Sequence, residues 1–456
     1  MVSISRSPAT TAPSQGKLSA IVLRCAAVAS LGGILFGFDT AVIAGATQAL
    51  RQLFSLSPSS LGLTVAIALW GTILGAMFAG YPGDLYGRRD SLRGLAVLFF
   101  VSAIGCSLAW SWLSFVVFRF IAGLAIGGSS VLGPMYIAEI SPARWRGRLV
   151  CFFQFSIVLG ILVAYLSNYL ISTLHLQALE WRWQLGVSAA PAILFFVCLF
   201  FIPRSPRWLA TRGRLTEAAA VLDLVGKDSE DELAKIVESV QLDRSAGKER
   251  LFQKRYRRPI FLAVAVGMFN QLAGINSILY YVNDIFARAG FNRVSGSLQA
   301  IVIGCTNLFF TMIAMTVIDK LGRRRLLLCG SVGMCICLSA CFQLLRGRVH
   351  ENLLIVPLIG YIACFAFSQG AVIWVYISEI FPNRVRSKGQ SLGSFSHWFM
   401  TAVLTWIFPI LSAHSAAAPF AFFASMMALQ FFIVFVFFPE TKGVPLEDLA
   451  NKLGIQ

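Results

Sequence analysis

Charge is scarce in this chain: Asp, Glu, Lys and Arg together make up 13% of its 456 residues, about half the share found in soluble domains. Too few charges are present to coat a water-exposed surface, which excludes an ordinary soluble globular fold. Histidine is rarer still, with four scattered copies, so a histidine-based metal centre has no material to form from. Ten cysteines occur, but most of them (Cys25, Cys106, Cys151, Cys198, Cys305 and Cys364) lie inside apolar runs without ligand or disulfide spacing. They read as small core residues. A nucleophile elbow is missing, as is a phosphate-binding glycine loop between strand and helix. The chain is therefore not read as an enzyme, and no cofactor or metal is expected.

What the chain has in abundance is apolar surface, with 57% hydrophobic residues and 38 Phe. Apolar runs fall near 19–48, 60–81, 92–110, 114–139, 150–173, 184–202, 259–287, 296–318, 325–345, 352–380, 389–412 and 417–438. Each approaches the length of about 20 residues that a helix needs to cross a bilayer. The sequence thus predicts an all-α membrane protein of twelve transmembrane helices. The net charge of +17 is concentrated in alternate loops: Arg88, Arg89 and Arg93; Arg144, Arg146 and Arg148; Arg323 to Arg325; Arg384, Arg386 and Lys388. That is the positive-inside pattern rather than a nucleic-acid footprint, and it puts these loops and both termini in the cytoplasm. No nucleic acid is expected as a partner; the lipid bilayer is.

The expected organisation is a disordered tail over 1–18, a six-helix half over 19–202, a cytoplasmic linker of short helices over 203–258, a second six-helix half over 259–438 and a cytoplasmic tail over 439–456. The linker charges read as a solvated face. Two patterns recur across it: GDLYGRR (Gly83 to Arg89) matches DKLGRRR (Asp319 to Arg325), and YIAEISPARWRG (Tyr136 to Gly147) matches YISEIFPNRVRS (Tyr376 to Ser387). Parallel repetition of this kind places a ligand between two halves, near the bilayer midplane. Acidic residues recur with the arginines, which topology alone does not require. Asp84, Arg88, Glu139 and Arg146, repeated as Asp319, Arg323, Glu379 and Arg386, therefore read as a cytoplasmic gate of separable ion pairs.

These motifs, with GGILFGFDTAVIAG (Gly32 to Gly45), RFIAGLAIGG (Arg119 to Gly128), PRSPRWL (Pro203 to Leu209), NQLAGINSILYY (Asn270 to Tyr281) and PETKG (Pro439 to Gly443), resemble the sugar porter family of the major facilitator superfamily. The resemblance runs from Gly32 to Gly443 and implies the major facilitator fold, alternating access and a monosaccharide or polyol substrate. A sugar needs amide side chains for its hydroxyls and an aromatic face for its ring. At positions matching the family's sugar ligands stand Phe36, Gln154, Asn270, Gln271, Asn276, Tyr280, Asn307, Trp374, His397 and Trp398. Gly274 interrupts the seventh run, which reads as a moving extracellular gate.

Departures from the family pattern leave the sugar open. Asn270 is a methylene shorter than the usual Gln, Ile161 is apolar as in facilitative carriers, and His397 replaces an amide, either as a neutral hydrogen-bonding ring or as a titrating group. Arg204 stands where the motif after the sixth run has Glu. Asp39, alone in an uncharged run, matches the proton-coupling carboxylate of the family's symporters, and Arg119 its partner. The reading is a proton symporter for a hexose or pentose, most simply a monomer in a bacterial inner membrane. A facilitative uniporter or a proton-coupled polyol or inositol carrier is the alternative. A sensor on the same scaffold would want a long signalling tail, and an organic-acid carrier more cations at membrane depth.

Overall fold

A computed structural model describes residues 19–226, 229–245, 250–347, 351–382 and 384–443. Among the described residues the chain forms helices and no strand, and eleven stretches are long and apolar enough to cross a membrane. The first half holds α1 (Ala20–Leu53), α2 (Pro58–Phe78), α3 (Gly80–Leu85), α4 (Arg88–Ser107), α5 (Trp112–Ile140), α6 (Ala143–Thr173), α7 (Glu180–Gly186) and α8 (Ala189–Cys198). Three short helices follow, α9 (Pro206–Thr211), α10 (Leu215–Leu224) and α11 (Ser229–Ser245). The second half holds α12 (Arg257–Leu272), α13 (Ile275–Tyr280), α14 (Val282–Arg288), α15 (Arg293–Leu321), α16 (Arg323–Gly347), α17 (Ile355–Phe367), α18 (Gln369–Glu379), α19 (Arg386–His414) and α20 (Ala418–Phe437). The sixth expected span is the interrupted pair α7–α8, which is why a length criterion finds eleven spans and the halves still have six each.

Helix starts follow local chemistry. The hydroxyls of Ser19, Ser57 and Ser111 accept backbone N–H groups from the first turns of α1, α2 and α5, and the Asn292 side chain does the same for α15. Each satisfies a donor that a helix end otherwise leaves unpaired in a medium without water. Within the first half α1 packs on α6 and α2 on α5; within the second α12 packs on α19 and α16 on α20. The halves meet through α2 against α19 and α6 against α15, and α1 touches α13 and α14. Outward faces carry exposed Phe309, Phe432, Phe435 and Phe437. That is the surface expected when hydrocarbon is the solvent.

Close approach of α1 and α6 depends on Gly37, where a Cβ would overlap the Ile157 carbonyl oxygen. Backbone cannot yield as a side chain tip can. Gly37→Ala is expected to lower stability by about 1–3 kcal/mol, read as a lower thermal midpoint in detergent; an unchanged midpoint would show that the two helices can separate freely.

Candidate functional site

Asn270 and Gln271 sit on the last turn of α12, and the helix then stops because Gly274 adopts a left-handed conformation (φ 88°). Any side chain at Gly274 would be strained there and would overlap the Phe423 ring. The chain restarts as α13, so Asn276 returns toward Gln271: Asn276 Nδ2 donates to Gln271 Oε1 at 2.9 Å. Gln271 Nε2 donates to Asn270 Oδ1 at 2.9 Å and lies 3.3 Å from His397 Nε2. Asn270 Nδ2 donates to the carbonyl of Gln369 at 3.2 Å. Gln271 is the hub of this chain of amides.

An interrupted helix exposes carbonyls that hydrocarbon cannot solvate. Tyrosine hydroxyls supply the missing donors, Tyr361 to the Ala273 carbonyl at 2.9 Å and Tyr165 to Leu279 at 2.8 Å, while Tyr281 donates at 3.2 Å to the Thr405 carbonyl of α19, which Pro409 four residues on cannot bond. The Tyr165 contact crosses from α6 to α13 and so ties the broken helix to the other half.

An aromatic wall stands beside the amides. The ring of His397 lies 5.1 Å from that of Trp374 and 5.0 Å from that of Trp398, and Trp398 lies 5.6 Å from Phe36 of α1. Trp374 is 38% exposed, which leaves its ring open to a ligand. The structure thus brings together Phe36, Asn270, Gln271, Asn276, Trp374, His397 and Trp398, drawn from both halves. Gln154 on α6 is half-buried and Asn307 on α15 is buried. Neither has a hydrogen bond among the described residues, so their amides are uncommitted. Tyr280 is buried on α13, in the field of Asp39 and Arg119.

One turn along α1 from Phe36, Asp39 Oδ1 accepts from Arg119 Nη1 at 2.7 Å. Arg119 is 1% exposed, and its Nε and Nη2 have no acceptor among the described residues. A buried guanidinium with two unmatched donors holds its carboxylate through a single bond, an arrangement that costs energy if the carboxylate changes charge. Chemically the pair can lose its attraction when a proton arrives and regain it when the proton leaves.

The Arg-rich end carries two further clusters, each closed within one half. Arg88 bonds Asp84 at 3.0 Å and Glu139 at 3.1 Å; Arg323 bonds Glu379 at 2.8 Å. Glu139 also accepts from Ser205, and Glu379 from Thr441 at 2.6 Å. Tyr136 donates to the carbonyl of Pro203 at 2.8 Å and Tyr376 to that of Pro439 at 3.3 Å. Two further arginines of the expected gate make no ion pair among the described residues. Arg146 is exposed and has no carboxylate partner among the described residues, and Arg386 turns its Nε to the Phe381 carbonyl at 3.3 Å. The side chain of Asp319 lies outside the described residues.

Arg204 pairs with Asp90 at 2.9 Å, whereas Glu440 accepts the backbone N–H groups of Arg323 and Arg324 at 2.9 and 3.2 Å. Sequence reasoning missed Gln369, buried on the first turn of α18, whose amide donates to Gln430 at 2.6 Å. An amide at membrane depth was the available signal. It also missed Tyr165 and Tyr361, for which no local signal exists.

The sequence model of the family described as "Sugar (and other) transporter" matches residues 25–453. The D-xylose-proton symporter of Escherichia coli (strain K12) is 34% identical, with 94% of this chain and 95% of that protein covered. The arabinose-proton symporter of Bacillus subtilis (strain 168) is also 34% identical, over 98% of this chain and 97% of its own. The inward open conformation of the xylose transporter XylE from E. coli superimposes with a TM-score of 0.85 at 33% identity, covering 94% of this chain and 99% of that one. The chain is therefore a member of the sugar transporter family, with the twelve-helix major facilitator fold.

Proposed function

We propose that this chain is a proton-coupled carrier of a pentose or hexose, working by alternating access. The observation that carries the reading is the Asp39–Arg119 pair, buried in otherwise uncharged helices one turn from Phe36. A carrier that only equilibrates sugar has no use for a carboxylate there. Protonation of Asp39 removes the charge that Arg119 holds, α1 is released, and the halves rock around a sugar held by the amides and aromatic rings. The positive loops put both termini in the cytoplasm of a cell membrane, and a monomer contains every residue the cycle needs. Likeness to the inward open relative, together with contact of α13 and α14 against α1, supports an inward-facing state with the outer side closed.

The test is sugar-dependent proton movement in proteoliposomes, with pentoses, hexoses and inositols offered singly. External alkalinisation with one sugar is the expected result and names the substrate class. Counterflow without proton movement would overturn symport in favour of a uniporter, for which the apolar, buried Ile161 is the supporting feature.

A further inference from the structure

A second cavity lies outside the candidate sugar site. It has a volume of about 750 Å³ and runs along the flank of α12, lined by Lys254, Arg257, Phe261, Val264 and Leu272, with Ile433 of α20 on its far wall. From Arg257 to Leu272 it follows the helix for roughly 22 Å, about the length of one extended acyl chain. Its wall is almost wholly apolar except at the Arg-rich end, where Gln253 contributes its single amide, so it lacks the cluster of amides a sugar would need. Phe261 and Phe437 meet edge to face at 5.6 Å beside it and are both exposed, which places the groove on the hydrocarbon side of the helices.

Charge identifies the occupant. Arg250, Lys254, Arg255, Arg257 and Arg258 crowd the start of α12, and no Asp or Glu occurs from there until Asp284. A basic cluster of this size beside a membrane helix attracts anionic headgroups. Lys254 and Arg257 line the mouth itself and have no carboxylate partner among the described residues. Phe252, 79% exposed at the same mouth, is an aromatic at headgroup level.

We propose that this groove binds an anionic glycerophospholipid, with one acyl chain along α12 and the headgroup phosphate held by Lys254 and Arg257. The groove ends two residues short of Gly274, the break in the gate helix, so the bound chain stiffens α12 up to its hinge. The lipid site does not depend on the proton-coupled reading above and stands or falls separately.

Native mass spectrometry of delipidated protein, titrated with phosphatidylglycerol or phosphatidylcholine, tests it. The wild type is expected to retain phosphatidylglycerol in preference to phosphatidylcholine. Lys254→Gln with Arg257→Gln is expected to weaken phosphatidylglycerol about tenfold or more, since each cation near the surface contributes on this scale. Val264→Trp fills the groove and is expected to abolish the adduct while leaving the cations in place. The double variant changes only exposed side chains, and thermal midpoints matching wild type separate lost lipid from lost fold. Equal retention of both lipids, equal phosphatidylglycerol binding by wild type and variants, or a dimer mass that lipid does not displace would overturn the proposal; the last would assign the groove to a second copy.

Discussion

Asp39→Asn is expected to abolish uphill sugar accumulation while sparing exchange of sugar across the membrane. A pH difference of one unit stores about 1.4 kcal/mol per proton, enough for about a tenfold sugar gradient with one-to-one coupling. The variant should reach only the external concentration, because an amide of the same shape cannot take up the proton. Arg119 would then face a neutral acceptor in every state, as it does in the wild type only when Asp39 is protonated. The release step becomes permanent, and the halves rock with or without a proton gradient. Uptake by the wild type should fall as external pH rises, and uptake by the variant should be flat. Counterflow and accumulation measured on the same proteoliposomes decide the matter: accumulation retained would move coupling elsewhere, and exchange lost would make Asp39 a structural residue.

Gln271→Ala is expected to raise KM for the transported sugar by roughly 10–100-fold, with little change in protein abundance. Gln271 contacts Asn270, Asn276 and His397, so its removal leaves the Asn270 carbonyl oxygen and the Asn276 amide without partners. Each unpaired buried polar group costs about 1–3 kcal/mol. Part of that cost is relieved when the cavity hydrates, so the larger effect falls on a ligand whose hydroxyls need the amides already aimed. Initial uptake rates over a range of sugar concentrations read KM, and titration of tryptophan fluorescence reads the matching loss of affinity, since Trp374 and Trp398 border the cluster. A KM within about twofold of wild type would remove Gln271 from the site.

The spans were legible because a bilayer demands about 20 apolar residues per helix and writes that demand into the sequence. The break at Gly274 was legible for the same kind of reason: a left-handed residue in an apolar run selects glycine. The bend at Ser368 between α17 and α18 was not, because neither residue beside it is Gly or Pro. It is this bend that presents the Gln369 carbonyl to Asn270. The choice of Asn270, Gln271, Asn276 and His397 came through the resemblance, since an isolated amide does not reveal which neighbour it faces. Tyr280 shows the limit: its type suited a sugar platform, but the sequence does not say that it is buried on α13 in the field of Asp39 and Arg119. The repeated arginines and carboxylates announced two clusters, one in each half, but not that Ser205 and Thr441 would join them.

Closure of each cluster within one half gives the two repeats separate identities. In the first half a cation, Arg204, reaches an anion, Asp90, at the start of α4. In the second the matching positions are Glu440 and Arg325, and Glu440 lies against the start of α16. The polarity is reversed, so a bracket from one half laid on the other would set Arg204 against Arg325, or Glu440 against Asp90. Like charges at such a contact are a penalty built against the wrong partner. The two brackets are therefore not interchangeable, although the motifs around them repeat.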